Sequence, residues 1–108
     1  MKSSNADLMA EAAKIYKVLG NSIRINILFF LRAQAQAVDV STIIAATGLA
    51  QSVVSKHLSV LYRYQLVTKK RAGTRILYRL DDPHIVEMID DMLNHVKHEI
   101  KGEPHLNA

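Results

Sequence analysis

Three of the chain's five histidines fall in one stretch, Asp82 to His98, read as DPHIVEMIDDMLNHVKH, and their spacing is that of metal ligands. At about 100° per residue on an α-helix, His84, His95 and His98 share one face, and Asp91 points the same way. Ile85, Ile89, Met92 and Val96 make an apolar stripe about a quarter turn away. Distance splits the histidines into two groups. His84 and His95 lie roughly 16 Å apart along the helix axis, whereas a metal holds its ligands at about 2 Å. His95 and His98 can bite one ion together, and so can Asp82 and His84 at the helix start. An antiparallel copy of this helix from a second chain would join Asp82 and His84 of one protomer to His95 and His98 of the other. Three imidazole nitrogens and a carboxylate oxygen suit Zn(II) or Co(II), and the apolar stripe would be the dimer seam. The plainer alternatives are that the histidines are polar helix surface and that Asp82 is a helix cap. Asp91 is either a solvated charge or a partner that orients an imidazole.

A second stretch, GLAQSVVSKHLSVLYRYQLV from Gly48, has the pattern of a helix that meets DNA. Gly48 permits a tight left-handed turn between two helices. Gln51 or Ser52 caps the next helix, and Val54, Leu58 and Leu61 form its buried face. Its other face carries Gln51, Ser52, Ser55, Lys56 and Ser59. Short polar groups with one cation, on the first turns after a short turn, are the pattern of a recognition helix whose N-terminal residues reach base edges in the major groove. His57 either joins that face or turns away from it. An ordinary amphipathic helix is the alternative, but a basic hairpin comes directly after it: Leu66 to Arg71 reads as a strand, Ala72-Gly73-Thr74 as a turn and Arg75 to Leu80 as a second strand. Such a hairpin is a wing, with Arg71 and Arg75 placed to meet phosphates.

The elements before these are helical. Leu8, Ala12, Ile15 and Leu19 give a first amphipathic helix from about Asp7, ended by Gly20 and Asn21. Asn21 or Ser22 caps a second, with Ile23, Ile27, Phe30 and Leu31 inside and Arg24 and Arg32 outside. Asp39 or Ser41 caps a third, with Ile43, Ile44 and Ala46 inside. Gly102 and Pro104 end the last helix. The expected fold is α+β, mostly α: a winged helix-turn-helix with a β-hairpin wing between flanking N- and C-terminal dimerisation helices. At 108 residues the chain reads as one domain, ordered over about 7–100, with a polar tail over 101–108. A net charge of +4 favours an anionic partner. The sequence contains no cysteine, which excludes disulfides and thiolate metal sites. No run of eighteen apolar residues and no signal peptide is visible, so a cytoplasmic protein with no membrane partner is expected.

The order of helix, helix, helix-turn-helix, wing and helix resembles the ArsR/SmtB family of bacterial metal-responsive repressors over about residues 7 to 100. The residues that carry the likeness are Val18-Leu19-Gly20-Asn21-Ser22-Ile23-Arg24-Ile25, Gln51 to Leu58, the wing tip Arg71-Ala72-Gly73 and the junction Tyr78-Arg79-Leu80-Asp81-Asp82. Within that family the chain is similar to the zinc- and cobalt-responsive, CzrA-like subgroup, whose Asp-x-His and His-x-x-His pairs match Asp82-Pro83-His84 and His95-Val96-Lys97-His98. The resemblance implies a homodimer that holds double-stranded operator DNA without metal and lets go when Zn(II) or Co(II) binds, with no organic cofactor. Members that sense arsenite, cadmium or lead carry cysteines before the turn; Ala37-Val38-Asp39-Val40 has none. Nickel-sensing relatives take ligands from the chain ends, where only His105 stands here.

Two rival functions remain at this level. One is a repressor of the same build that answers a non-metal ligand or none. The other is a small zinc hydrolase, which needs an open coordination position and a general base. Four protein ligands would close the site, and no HExxH motif occurs, so the chain is expected not to be an enzyme.

Overall fold

The computed structural model describes residues 4–100. Five helices and one hairpin run in the order α1 (Asn5–Leu19), α2 (Ser22–Ala33), α3 (Val40–Thr47), α4 (Gln51–Arg63), β1 (Thr68–Ala72), β2 (Arg75–Arg79) and α5 (Pro83–Ile100). This is a winged helix-turn-helix, α3 and α4 forming the helix-turn-helix and β1–β2 the wing. The expected end of α5 at Gly102 and Pro104, and the expected polar tail, lie outside the described residues.

Polar side chains set most of the helix starts. Ser4 and Asp7 form a reciprocal capping box at α1, so α1 begins two residues earlier than its apolar spacing suggests. Asn21 Oδ1 accepts from Arg24 N–H at 3.1 Å to open α2, and Asp39 accepts from Thr42 N–H at 2.9 Å to open α3. Of the two candidates at each start, Asn21 and Asp39 do the capping. The reading that Gln51 or Ser52 caps α4 is corrected: Ala50 is the cap residue, and it makes no side-chain hydrogen bond. Between α3 and α4, Gly48 takes φ 72°, a conformation in which any side chain is strained. The wing turns at Gly73, φ 65°.

The core is a single cluster of aliphatic side chains. Ile27, Leu28 and Leu31 of α2 meet Ile43 of α3 and Val54, Leu58 and Leu61 of α4, all within 1% of full burial. Burying each such side chain contributes roughly 1.5–3 kcal/mol. Leu66 and Val67 belong to this cluster and precede β1 instead of opening it, because their side chains both turn inward and cannot alternate as a strand requires. The wing is a register of five antiparallel pairs from Thr68↔Arg79 to Ala72↔Arg75. A bridge between Val38 and Tyr78, with hydrogen bonds of 2.9 and 2.7 Å, lashes it to the segment ahead of α3.

Two apolar faces depart from expectation. On α1, Val18 is buried while Leu8 is 57% exposed, so the N-terminal half of its stripe meets no core in this protomer. On α5, Ile85 and Ile89 pack on the protomer's own core, whereas Met92 and Val96 stand 58% and 38% exposed. The stripe read as one seam is therefore two surfaces, one folded inward and one left open. Ala46, expected inside α3, is exposed because the eight-residue helix turns it past the core-facing side.

Candidate DNA and metal surfaces

The outer face of α4 presents Gln51, Ser52, Ser55, Lys56 and Ser59 to solvent, while Val54, Leu58 and Leu61 anchor the opposite face. Anchoring on one side and short polar groups on the other is what a helix inserted into a groove requires. His57 does not belong to the outer face, which corrects its place in the candidate set. It is 8% exposed, and its Nδ1 accepts from Arg24 Nε at 3.1 Å. Burial, with the nearby charges of Arg24 and Lys56, holds its pKa below the ordinary imidazole value. Arg24, read as an outward residue, is half-buried for the same reason.

The wing places its two arginines differently. Arg71 is exposed on β1 opposite Ile76. Arg75 Nε lies 2.9 Å from Asp39 Oδ2, so it ties the wing to the start of α3. Asp39 also accepts from the side chain of Thr42 at 2.8 Å. Hydrogen bonds from the Thr42 hydroxyl and backbone, then Arg75, hold the Asp39 carboxyl below its ordinary pKa of 3.8. The stability this carboxylate contributes is present above the ordinary pKa and is lost as pH falls through the lowered one. Lys69 sits over the ring of Tyr62, 4.3 Å from its centroid, and joins β1 to α4.

These placements predict distinct salt responses. Lys56→Ala and Arg71→Ala should each weaken DNA binding and make the dependence of log affinity on log salt shallower by about one unit, as the loss of one phosphate contact does. Arg75→Ala should weaken binding with a smaller change of slope, because its charge is already matched by Asp39. Titrations over a series of salt concentrations check this. Unchanged affinity and slope for both Lys56→Ala and Arg71→Ala would remove α4 and the wing from the interface.

The other candidate surface runs along α5. At its start Asp82 Oδ1 accepts from His84 N–H at 2.8 Å and lies 3.3 Å from His84 Nδ1. Asp82 is thus the helix cap and also the neighbour of an imidazole that is 94% exposed. Near the other end His95 and His98 are both exposed, one turn apart. The acid that approaches His95 is Glu99, with Oε2 3.9 Å from Nε2. Asp91 instead lines a shallow groove with His84, Glu87, Met88, Met92 and His95. Among the described residues no three His, Cys, Asp or Glu side chains of one protomer are grouped to hold a metal. The residues read as ligands stand as two separated pairs, Asp82 with His84 and His95 with His98. Arg32, at the end of α2, chelates Asp90 with contacts of 2.8 and 3.2 Å and fastens the middle of α5 to the core. A small wholly apolar pocket lies alongside, lined by Leu19, Ile25, Leu28, Phe29, Met88, Ile89 and Met92.

The sequence profile described as bacterial regulatory protein, arsR family, matches residues 21–69, from the cap of α2 to the start of β1. The HTH-type transcriptional regulator NmtR of Mycobacterium tuberculosis is 35% identical over 89 residues, covering 82% of this chain and 72% of that protein. The chain belongs to the arsR family. The repressor SmtB of the same organism is 30% identical over 82% of this chain, which spans 64% of SmtB's length. Among solved structures, a homodimeric winged helix-turn-helix DNA-binding domain from Mycobacterium bovis superposes with a TM-score of 0.78 at 27% identity, covering 100% of this chain and 97% of that one. The antimony-specific transcriptional repressor AntR gives a TM-score of 0.77 at 27% identity over 92% of this chain and 87% of its own. NmtR and SmtB carry the names of an HTH-type transcriptional regulator and an HTH-type transcriptional repressor, which agrees with a regulator and lends nothing to the hydrolase reading. The family profile ends ahead of α5, so the ligand pairs at residues 82–98 lie beyond it.

Proposed function

We propose that this chain is a homodimeric, cytoplasmic repressor that grips double-stranded operator DNA in its metal-free form and releases it when Zn(II) or Co(II) is held between two α5 helices. The observation that carries the proposal is the division of donors along α5: Asp82 and His84 adjacent at one end, His95 and His98 a turn apart at the other, and no complete set in one protomer among the described residues. An antiparallel partner is the arrangement that joins such pairs, and the open apolar side chains Met92, Val96 and Ile100 of α5 and Leu8 and Met9 of α1 supply a surface for it. The family and the homodimeric form of the M. bovis neighbour agree with it.

The residues fit the ion. Imidazole and carboxylate donors are borderline ligands suited to Zn(II) and Co(II), and the sequence contains no thiolate to draw softer metals. When bound, the ion supplies a fixed link between the two chains. Asp82 and His84 of one α5 and His95 and His98 of the other are then held in register, and the two α5 helices lose their freedom to pivot. Each α5 is clamped to α2 through Arg32 and Asp90, and α2 packs on α4. A fixed α5 pair therefore sets the separation of the two α4 helices, which must match about 34 Å, one DNA turn.

The test is a Co(II) titration read in two ways. One Co(II) per chain should give intense d–d absorption of tetrahedral type without a sulfur charge-transfer band, and the same additions should free a fluorescent DNA duplex. A weak octahedral spectrum would contradict a closed four-ligand site. Tetrahedral binding with no DNA release would leave the repressor answering another ligand, and the apolar pocket beside α5 would be where to look.

A further inference from the structure

We infer that Arg24 and His57 form a latch that sets the pose of the recognition helix, so that both residues govern DNA affinity without touching DNA. The inference rests on the reading of α4 as the helix that enters the groove, and it is independent of the metal.

His57 is the buried polar side chain of the core among the described residues. It comes directly after Lys56, but a step of about 100° around α4 takes it from the outer face to the flank that meets α2. There one guanidinium ties three helices together. Arg24 Nε donates to His57 Nδ1 on α4 at 3.1 Å, and Arg24 Nη1 donates to the carbonyl of Val18 in the last turn of α1, also at 3.1 Å. The backbone N–H of Arg24 is itself held by the cap Asn21 at 3.1 Å. A planar group bonded on two edges, on a backbone fixed by a cap, has little freedom left.

The fully buried side chains that α2 and α4 give to the core are aliphatic: Ile27, Leu28 and Leu31, and Val54, Leu58 and Leu61. Such packing is strong but non-directional, and it resists separation more than it resists a small roll or slide of α4. The bond from Arg24 to His57 is directional. It fixes the rotation of α4 about its axis, and with it the direction in which Ser55 and Lys56 point. Few sites in the molecule offer so much leverage over groove fit from a residue that faces away from the groove.

The bond also fixes a protonation state. Nδ1 accepts from Arg24, so it carries a lone pair and the ring is neutral with its proton on Nε2. A second proton would set N–H against N–H beside a guanidinium. The surroundings oppose that proton. Burial comes first, then the charges of Arg24 and of Lys56, which adjoins His57 on α4; on α1, Lys14 and Lys17 line a groove with Arg24, Arg63 and Tyr64, and Glu11 is engaged by Lys14 at 2.9 Å. α3, which also packs on α4, carries no titratable residue. The folded chain thus favours neutral His57 and the unfolded chain takes up the proton first. The latch is closed at neutral pH, and its contribution is lost as pH falls below the ordinary imidazole value of 6.5 and through the lowered one.

The experiment uses the whole metal-free chain, kept so with a chelator, and a fluorescein-labelled duplex selected from random-sequence DNA by the wild type. Affinity is measured by anisotropy across salt and pH. Arg24→Ala and His57→Ala should each weaken binding by about tenfold with an unchanged salt slope, because no phosphate contact is lost, and the double variant should be no weaker than either single one. His57→Asn offers Oδ1 close to the position of Nδ1 but does not titrate. It should bind within about threefold of the wild type at pH 7.5, while lacking the loss of affinity that the wild type shows as pH falls through the lowered His57 value. The latch is overturned if Arg24→Ala and His57→Ala bind normally, or if either makes the salt slope shallower by a full unit as a phosphate contact would. It is also overturned if His57→Asn follows the wild-type pH profile. Should His57→Ala fail to fold by circular dichroism, the profile of His57→Asn decides alone. A wild type that selects no duplex overturns the DNA reading itself and the latch with it.

Discussion

His95→Ala should bind operator DNA as the wild type does and stay bound when zinc is added. His95 is exposed on α5, so its truncation should leave the helix-turn-helix and the wing as they were. Yet each dimer would hold two copies of the proposed site, and the substitution removes one imidazole from both. A four-ligand site reduced to three loses affinity by orders of magnitude, and the two α5 helices remain free to pivot. The check is anisotropy of a labelled duplex with and without zinc, wild type beside variant. Release of the variant at the same zinc concentration as the wild type would place the sensor elsewhere.

Leu58→Ala carries the largest expected cost in stability. Leu58 is fully buried on the inner face of the recognition helix, among side chains of α2 and α3 that cannot collapse onto the gap without moving α4. Truncations of this kind cost about 2–5 kcal/mol, a large share of the roughly 5–15 kcal/mol that holds a domain folded. Urea unfolding should show a lower midpoint with an unchanged slope. Met92→Ala is the contrasting case. Met92 is 58% exposed in the protomer, so protomer stability should hardly change while the dimer dissociates at higher protein concentration. A variant that unfolds early but dimerises normally would show that Met92 serves its own core and not a seam.

Much of the architecture was legible in the residues because helix caps, turn glycines and apolar spacing act locally. Asn21, Asp39 and Gly48 do what their types dictate, and Val54, Leu58 and Leu61 are buried as their spacing requires. What could not be read were decisions made between elements. An apolar stripe has a direction but no named partner, so the division of α5 into an inward Ile85–Ile89 half and an open Met92–Val96 half depended on which part of it the rest of the protomer covers. Arg24, Arg32 and Arg75 looked like surface cations, and each proved to be engaged by a residue distant in the chain: His57, Asp90 and Asp39. His57 shows the same limit. Its place one residue after Lys56 left both the DNA face and the flank open, and the turn of the helix put it against α2. Asp82 with His84 and His95 with His98 were legible as neighbours because i to i+2 and i to i+3 spacing is local; the partner that would complete the proposed site is not in the chain's own fold.

The most direct measurement of that last point is complementation between two defective chains. His84→Ala and His95→Ala should each fail alone to give the tetrahedral Co(II) spectrum, since each homodimer lacks a ligand in both sites. In a mixed dimer one site loses two of its three imidazoles, and the other is whole, with Asp82 and His84 from one chain and His95 and His98 from its partner. If chains exchange at random, about half of the dimers are mixed and each holds one site of two, so an equimolar mixture should recover about a quarter of the wild-type Co(II) absorption. Recovery at that level is the predicted result. A mixture that stays as silent as its parents, or a parent that binds Co(II) tetrahedrally alone, would contradict a metal site shared between two α5 helices.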